Sequence, residues 1–240
     1  MTLTGKTVLV TGAGRGIGKA LVEEALNRGA ERVYAATRQA LNPADERVTS
    51  LVLDLTDPAR IDLAAETVDS LDVLINNAGV YGYEGLADRA ALERHLAVNL
   101  FGPHAVTQAF LPRLVESRGA IVNVLSLAAV AAVPISPAYS ISKAAAFSWT
   151  QSLRATLAGQ GVDVHAVLPG PVDTDMVRDL EIPKASPRSV AAAVLDGLAK
   201  GADEIFPDPF SRALADSWNS GAVKTLERRN AALLTAAGNQ

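Results

Sequence analysis

Thr7-Val8-Leu9-Val10-Thr11-Gly12-Ala13-Gly14-Arg15-Gly16-Ile17-Gly18 decides the fold of this chain. A short apolar run, Thr7 to Thr11, reads as a strand, and the pattern from Gly18 to Arg28 reads as a helix closed by Gly29. Gly12, Gly16 and Gly18 fall in the turn between them. Such a turn brings the backbone close to a bound group, while the helix start supplies N–H donors and partial positive charge, a combination suited to a pyrophosphate. The spacing is Gly-x-x-x-Gly-x-Gly. The commoner dinucleotide spacing, G-x-G-x-x-G, would need glycine where Ile17 stands. The variant serves the same physics, but by itself it is also compatible with a purely structural turn.

Beyond this unit, apolar runs alternate with longer helical patterns. Strands are predicted at 32–37, 51–53, 73–76, 120–125 and 162–168, with a short final strand at 204–207. Helices are predicted at 58–70, 89–116 with a kink near Gly102-Pro103, 137–160 and 189–200, and a largely helical tail runs from about 210 to 237. The segment 39–49 is too short and polar for a full crossover helix and is expected to be a loop or a reduced helix. This rhythm predicts an α/β protein with a Rossmann-type, doubly wound parallel sheet. No repeat or low-complexity linker divides the chain, so residues 1–240 are expected to form a single domain, with a lid over a substrate at about 171–188.

Composition narrows the function. The chain has 240 residues, of which 49% are hydrophobic, ample for a large core. A formal charge of −4 gives no basic field for nucleic acid. The absence of cysteine removes disulfides, thiolate metal sites and a cysteine nucleophile. No apolar run is long enough to span a bilayer, and no two histidines share a ligand-spaced helix face, so neither membrane nor metal is expected. A soluble, cytoplasmic protein is predicted.

Cofactor choice is read at the end of the second strand. An acidic residue there would bind a ribose 2′-OH and favour NAD. The chain reads Ala36-Thr37-Arg38 instead. Arg38 suits a 2′-phosphate, the Thr37 hydroxyl can donate to it, and Arg15 offers a second cation. The expectation is NADP(H), with two solvated surface arginines as the plain alternative.

Further along, Tyr139 and Lys143 form Tyr-x-x-x-Lys on a predicted helix, so both side chains share one face. A phenol beside an ammonium is a proton donor and acceptor usable near neutral pH. Ser126 follows the fifth strand, and Asn99 lies in the long helix before it. Each residue taken singly has an ordinary packing or capping explanation; the set argues for hydride chemistry on a carbonyl or alcohol. No Gly-x-Ser-x-Gly elbow supports a serine hydrolase, and His95, His104 and His165 read as packing or surface residues.

In this combination the chain resembles the short-chain dehydrogenase/reductase superfamily, in its short single-domain branch. The resemblance runs from about Lys6 to Met176. It rests on Thr-Gly-x-x-x-Gly-x-Gly at 11–18, Asn76-Asn77-Ala78-Gly79, Asn99, Ser126, Tyr139 with Lys143, and Pro169-Gly170 with Thr174. It implies that Tyr139 is the general acid in reduction and the base in oxidation. Lys143, together with an oxidised nicotinamide, would lower the tyrosine pKa, and it would hold the nicotinamide ribose; Ser126 would orient the substrate oxygen, and Asn99 would position a water leading from Lys143. It further implies cofactor contacts from Gly12, Gly14, Arg15, Gly16, Ile17 and Gly18, then Thr37 and Arg38, and from Asp54 and Leu55 at the adenine, while Asn76, Ala78 and Gly79 would line the adenosine ribose side and support the sheet. Pro169, Gly170, Val172 and Thr174 would lie at the nicotinamide.

The predicted substrate is a small carbonyl or alcohol. Candidate pocket walls, Leu127, Val133, Pro134, Tyr81, Tyr83, Met176, Val177 and Leu180, are mostly apolar, which suits a hydrophobic ketone or aldehyde. Reduction of a 3-oxoacyl group on an acidic carrier is the neighbouring reading, although no basic cluster is evident for the carrier. A non-catalytic NADP-sensing protein is the alternative from another class. The long helices 89–116 and 137–160 are expected to carry a homodimer or homotetramer. The tail departs from the family pattern, lacking its usual Asp-Gly-Gly ending.

Overall fold

The structure is a computed structural model that describes residues 1–237. Its centre is a seven-stranded, wholly parallel sheet in the order β3-β2-β1-β4-β5-β6-β7. The strands are β1 (Thr7–Thr11), β2 (Arg32–Thr37), β3 (Val48–Val52), β4 (Val73–Asn76), β5 (Ala120–Val124), β6 (Asp163–Val167) and β7 (Glu204–Ile205). The helices are α1 (Gly16–Asn27), α2 (Pro58–Thr67), α3 (Arg89–Leu96), α4 (Gly102–Ser117), α5 (Pro137–Leu157), α6 (Pro187–Ala199), α7 (Pro209–Arg212), α8 (Ala215–Ser220) and α9 (Ala222–Ala237).

Side-chain alternation along the strands divides the core into two layers. Val8, Val10, Val73, Ile75 and Val122 point to one face, where Leu21, Val22 and Ala25 of α1 meet Val190, Val194 and Leu195 of α6. Leu9, Leu74 and Ile121 point to the other, against Ile61 of α2, Val106, Phe110 and Leu114 of α4, and Leu153 and Leu157 of α5. Both faces are covered, as a parallel sheet requires. The strand order reverses between β1 and β4, so the crevice outside their carboxyl ends is the natural ligand site.

Three elements differ from the sequence expectation. β3 begins at Val48, three residues before the predicted start, because it is set by pairing from Val33↔Val48 to Thr37↔Val52. As an edge strand carrying Thr49 and Ser50, it lacks the apolar run that sequence reasoning follows. β7 stops at Ile205, two residues before Pro207, which has no N–H to continue a ladder. The interruption of the long helix is a π-helical turn over Ala97–Phe101, just ahead of the predicted Gly102-Pro103. The segment between β2 and β3 is a loop, pinned where the Leu41 N–H donates to Ser50 Oγ at 2.8 Å.

The tail folds as α7, α8 and α9 and packs against α5 through a charged cluster. Lys224 Nζ lies 2.8 Å from Asp203 Oδ2, 3.0 Å from Glu204 Oε2 and 3.1 Å from Glu227 Oε2. Arg154 on α5 pairs with Glu204 at 2.9 Å and also with Glu227. Trp218 Nε1 donates to Glu204 Oε2 at 3.1 Å. The side chains of Lys224 and Glu204 are each only 1% exposed. Burial alone would lower the Lys224 pKa, but bonding to Asp203 and the charge of Glu204 outweigh it and hold the pKa above that of an ordinary lysine.

Candidate active site

The glycine turn is built as its spacing demands. Gly12 has φ +67°, and a Cβ there would come within 2.9 Å of Ala78 Cα, so the β1 and β4 ends meet backbone to backbone. Gly18 brings α1 so close to the turn that an added Cβ would lie 2.2 Å from the Gly12 carbonyl oxygen. Asn77 closes this junction: its Nδ2 donates to the Thr11 carbonyl at 2.9 Å, and its backbone N–H donates to Thr11 Oγ1 at 3.0 Å. Ile17 packs onto the core behind the turn. Thr174 lies over Gly16, with Cγ2 at 3.0 Å from the position of a Cβ there, so the glycine turn and the 169–174 segment form two sides of one crevice.

On the adenosine side, the expected residues divide by role. Asp54 Oδ1 accepts from the backbone N–H of Thr56 at 2.9 Å and from its hydroxyl at 2.7 Å. These bonds, with the charge of Arg38 added, hold the Asp54 carboxyl below its usual pKa. Arg38 is exposed beside it. Thr37 donates its hydroxyl to the Gln39 carbonyl, and Arg15 reaches Asp175 Oδ2 at 3.3 Å. Of the three groups expected to favour a 2′-phosphate, the chain's own contacts leave Arg38 foremost. Leu55 packs over Gly102. Asn76 turns inward: it is 3% exposed, and its Nδ2 donates to Thr107 Oγ1 at 3.1 Å and to Asn123 Oδ1 at 2.9 Å. Its side chain therefore ties β4 to β5 and α4 and supports the sheet.

The four catalytic candidates converge at the carboxyl end of β5. Ser126 follows this strand, its Oγ accepting from the Ala128 N–H at 3.1 Å, and its hydroxyl is near enough to the Tyr139 phenol to lower its proton affinity. Lys143, one turn beyond Tyr139 on α5, is buried, with Nζ 5.8 Å from the Tyr139 ring centre and donating to the Val124 carbonyl at 2.9 Å. Asn99 sits in the π turn. Its Oδ1 accepts from the Val80 N–H at 2.8 Å, and its Nδ2 donates to the Val80 carbonyl at 3.0 Å and to Ser142 Oγ at 2.9 Å. Ser142 Oγ in turn donates to the Tyr139 carbonyl at 2.7 Å. Asn99 thus fastens the β4 exit to the catalytic turn of α5. A cavity of about 10 Å³, lined in part by Asn76, Asn99 and Lys143, has room for roughly one water.

Burial sets the proton affinities. It pushes Tyr139 up to about 12, with the Ser126 hydroxyl pulling the other way and nearby Tyr81 adding to the rise. It pushes Lys143 down to about 8. Among the protein's own groups, desolvation is the largest influence on the Tyr139 phenol.

Lys143 carries a measurable consequence. The folded chain releases this proton near pH 8 and the unfolded chain near 10.5. Between those values the unfolded state binds more protons, so this group's contribution to stability rises with pH. Below pH 8 the full cost of burying the charge is present, on the order of 3 kcal/mol. In the stability of Lys143→Met minus wild type, measured by urea unfolding, the variant is expected to lose about that much ground between pH 7 and pH 10. A flat difference would contradict the depressed pKa.

Around these four, aromatic and packing groups complete the site. Tyr81 meets Tyr139 edge to face at 4.9 Å, and His95 lies 6.4 Å from the same ring. His95 and His165 are buried, each with Nδ1 on a backbone carbonyl, Ala91 and Ala202 respectively, while His104 packs near Trp149; all three are packing groups. Val172 is buried and bridges Ala185, which pins the start of the 171–188 segment to its end. Among the described residues no group of three His, Asp or Glu side chains is placed to hold a metal, and no helix is long and apolar enough to cross a membrane.

A parallel sheet with a glycine turn at its switch point and a Ser, Tyr and Lys set at β5 defines a nucleotide-dependent oxidoreductase fold. The family model described as short chain dehydrogenase matches residues 6–184, and the chain belongs to that family. Ketoacyl reductase HetN of Nostoc sp. is 34% identical over 237 positions, covering 89% of this chain and 83% of that protein. A 1-deoxy-11-beta-hydroxypentalenate dehydrogenase of Streptomyces exfoliatus is 36% identical over 230 positions, covering 86% and 83%. A short chain dehydrogenase from Burkholderia cenocepacia, solved in complex with NADP, superposes with a TM-score of 0.87 at 38% identity, covering 95% of this chain and 98% of that one.

Proposed function

We propose that this oxidoreductase uses NADPH to reduce the carbonyl of a mostly apolar ketone or aldehyde, reversibly. The observation that carries the reading is the buried Tyr139 phenol, beside Ser126 and one helical turn from buried Lys143. The crevice suits the cofactor. Four glycines, Gly12, Gly14, Gly16 and Gly18, keep every second position of the turn free of a side chain, and α1 begins there with no side-chain cap on its first N–H groups. Arg38 supplies the cation for a 2′-phosphate. When bound, NADPH supplies the hydride that goes to the carbonyl carbon. Ser126 Oγ donates to the carbonyl oxygen and orients it. Tyr139 passes its phenolic proton to that oxygen as the hydride arrives, so the alcohol forms with charge balanced. Lys143 supports the charge left on Tyr139. The solved NADP complex of a relative supports the cofactor choice, and the name of the Nostoc relative keeps a 3-oxoacyl substrate in view.

We also propose assembly through α4 and α5, whose outer faces expose Phe101 and Ile141 at the near ends and small residues such as Ala144 and Ser148. The test of both is one preparation of the protein. Its mass by light scattering is expected to be a multiple of 25.0 kDa, and a monomer at micromolar concentration would remove the assembly. NADPH and NADH consumption are then compared on aryl and alkyl ketones, aldehydes and a 3-oxoester. A charge-assisted bond from Arg38 predicts at least about tenfold higher kcat/KM with NADPH. Preference for NADH would overturn the Thr37-Arg38 reading. Tight NADPH binding without turnover on any carbonyl would overturn the reductase reading.

A further inference from the structure

The start of the tail is built into the crevice. Asp208, 2% exposed, caps α7: its Oδ1 accepts from the backbone N–H groups of Phe210 and Ser211, each at 3.0 Å. Its Oδ2 accepts from Ser211 Oγ at 2.7 Å and, across 38 residues of sequence, from the backbone N–H of Gly170 at 2.8 Å. A Cβ at Gly170 would meet Asp208 Oδ1 and Phe210 Cδ1, both at 3.0 Å. Gly170 is therefore held by a buried carboxylate on one side and overlaid by the Phe210 ring, which remains 68% exposed. Beyond α7, the tail is anchored separately by the Lys224 cluster.

We propose that Asp208 is a positioning residue for the nucleotide-binding crevice: through Gly170 it fixes the 169–174 segment that faces the glycine turn, and the tail thereby sets cofactor affinity. The inference rests on the reading that this segment contacts the nicotinamide half of the cofactor. The chemistry is specific to a carboxylate. Both oxygens of Asp208 accept, and all four donors are N–H or O–H groups. An amide in its place must aim an NH₂ either at the Gly170 N–H or at the α7 N–H groups, so one side of the clamp opens. A buried carboxylate-to-amide N–H bond also counts among the stronger hydrogen bonds.

The experiment uses Asp208→Asn in the full chain, with two readouts. The first is hydrogen exchange at the Gly170 amide without cofactor, expected to accelerate at least tenfold. The second is the NADPH Kd by fluorescence, expected to rise about tenfold while kcat at saturating NADPH changes less than threefold. Glu227→Gln, which loosens the tail without touching Gly170, is expected to lower Tm and leave the Kd within twofold, separating positioning from simple loss of stability. If Asp208→Asn does not fold, Ser211→Ala takes its place, with about threefold faster exchange and a matching rise in Kd. A folded variant with unchanged Gly170 exchange overturns the clamp. Faster exchange with an unchanged Kd overturns its link to the cofactor. A wild-type protein that binds neither NADPH nor NADH overturns the reading of the crevice instead, and the exchange measurement still decides whether the clamp exists.

Discussion

Tyr139→Phe is expected to reduce kcat for carbonyl reduction by about 10³-fold while NADPH binding stays within about threefold, because positioned acid catalysis typically supplies 10²- to 10⁴-fold. The substitution is nearly isosteric. The ring keeps its edge contacts with Tyr81 at 4.9 Å and with His95 at 6.4 Å, so α5 has no reason to shift. Ser142 still bonds the backbone carbonyl at this position, and Asn99 still bonds Ser142. What disappears is the phenolic proton donor beside Ser126. Burial keeps that donor protonated, with a pKa near 12, so the acid form is the one present across the neutral range. Single-turnover absorbance of NADPH with a ketone substrate checks the prediction. Residual activity above a tenth of wild type would mean that the proton comes from elsewhere.

The residues behind this expectation are legible in the sequence because their signals are local. Tyr139 and Lys143 stand one turn apart on one helix, and the glycine turn lies within a dozen residues of the start of β1. The parallel sheet and its two covered faces also follow from short apolar runs with helical stretches between them. What the sequence hides depends on partners far apart in the chain. Asn76 is expected at a ribose, but its amide is taken by Thr107 and Asn123, 31 and 47 residues away. Asp208 meets Gly170, and Arg154 meets Glu227, 73 residues on. A polar residue in a sequence window reads as solvated unless its partner is in the same window. The start of β3 is hidden for the same reason: its residues are half-exposed and polar, and only pairing with β2 defines where it begins. The proton affinity of Tyr139 is another case, since its spacing from Lys143 is visible in the sequence whereas the desolvation that raises its pKa is not.

The tail provides the sharpest instance. Lys224 and Glu227 look like an ordinary surface pair three residues apart on a helix, the kind worth little. In the fold, Lys224 is buried among three carboxylates, and Arg154 is the other cation bonded to the cluster. Lys224→Met removes the positive charge but leaves Glu204, whose side chain is 1% exposed, among acids, with Arg154 as the cation still bonded to it beside the Trp218 N–H. Breaking a buried pair in this way costs about 3–5 kcal/mol, a large part of the 5–15 kcal/mol that roughly bounds a folded chain. At this size the melting temperature is expected to fall by about 10 °C. Lys224→Met combined with Glu227→Leu removes one charge of each sign and should recover part of the loss, since the penalty comes from uncompensated charge more than from any single contact. Thermal unfolding of the two variants measures both effects. A single variant within about 1 kcal/mol of wild type would show that the cluster is solvated and that the tail is held by its apolar contacts. A drop that the double variant partly reverses would establish that α9 is fixed to α5, the helix carrying Tyr139 and Lys143, by the balance of charge beneath it.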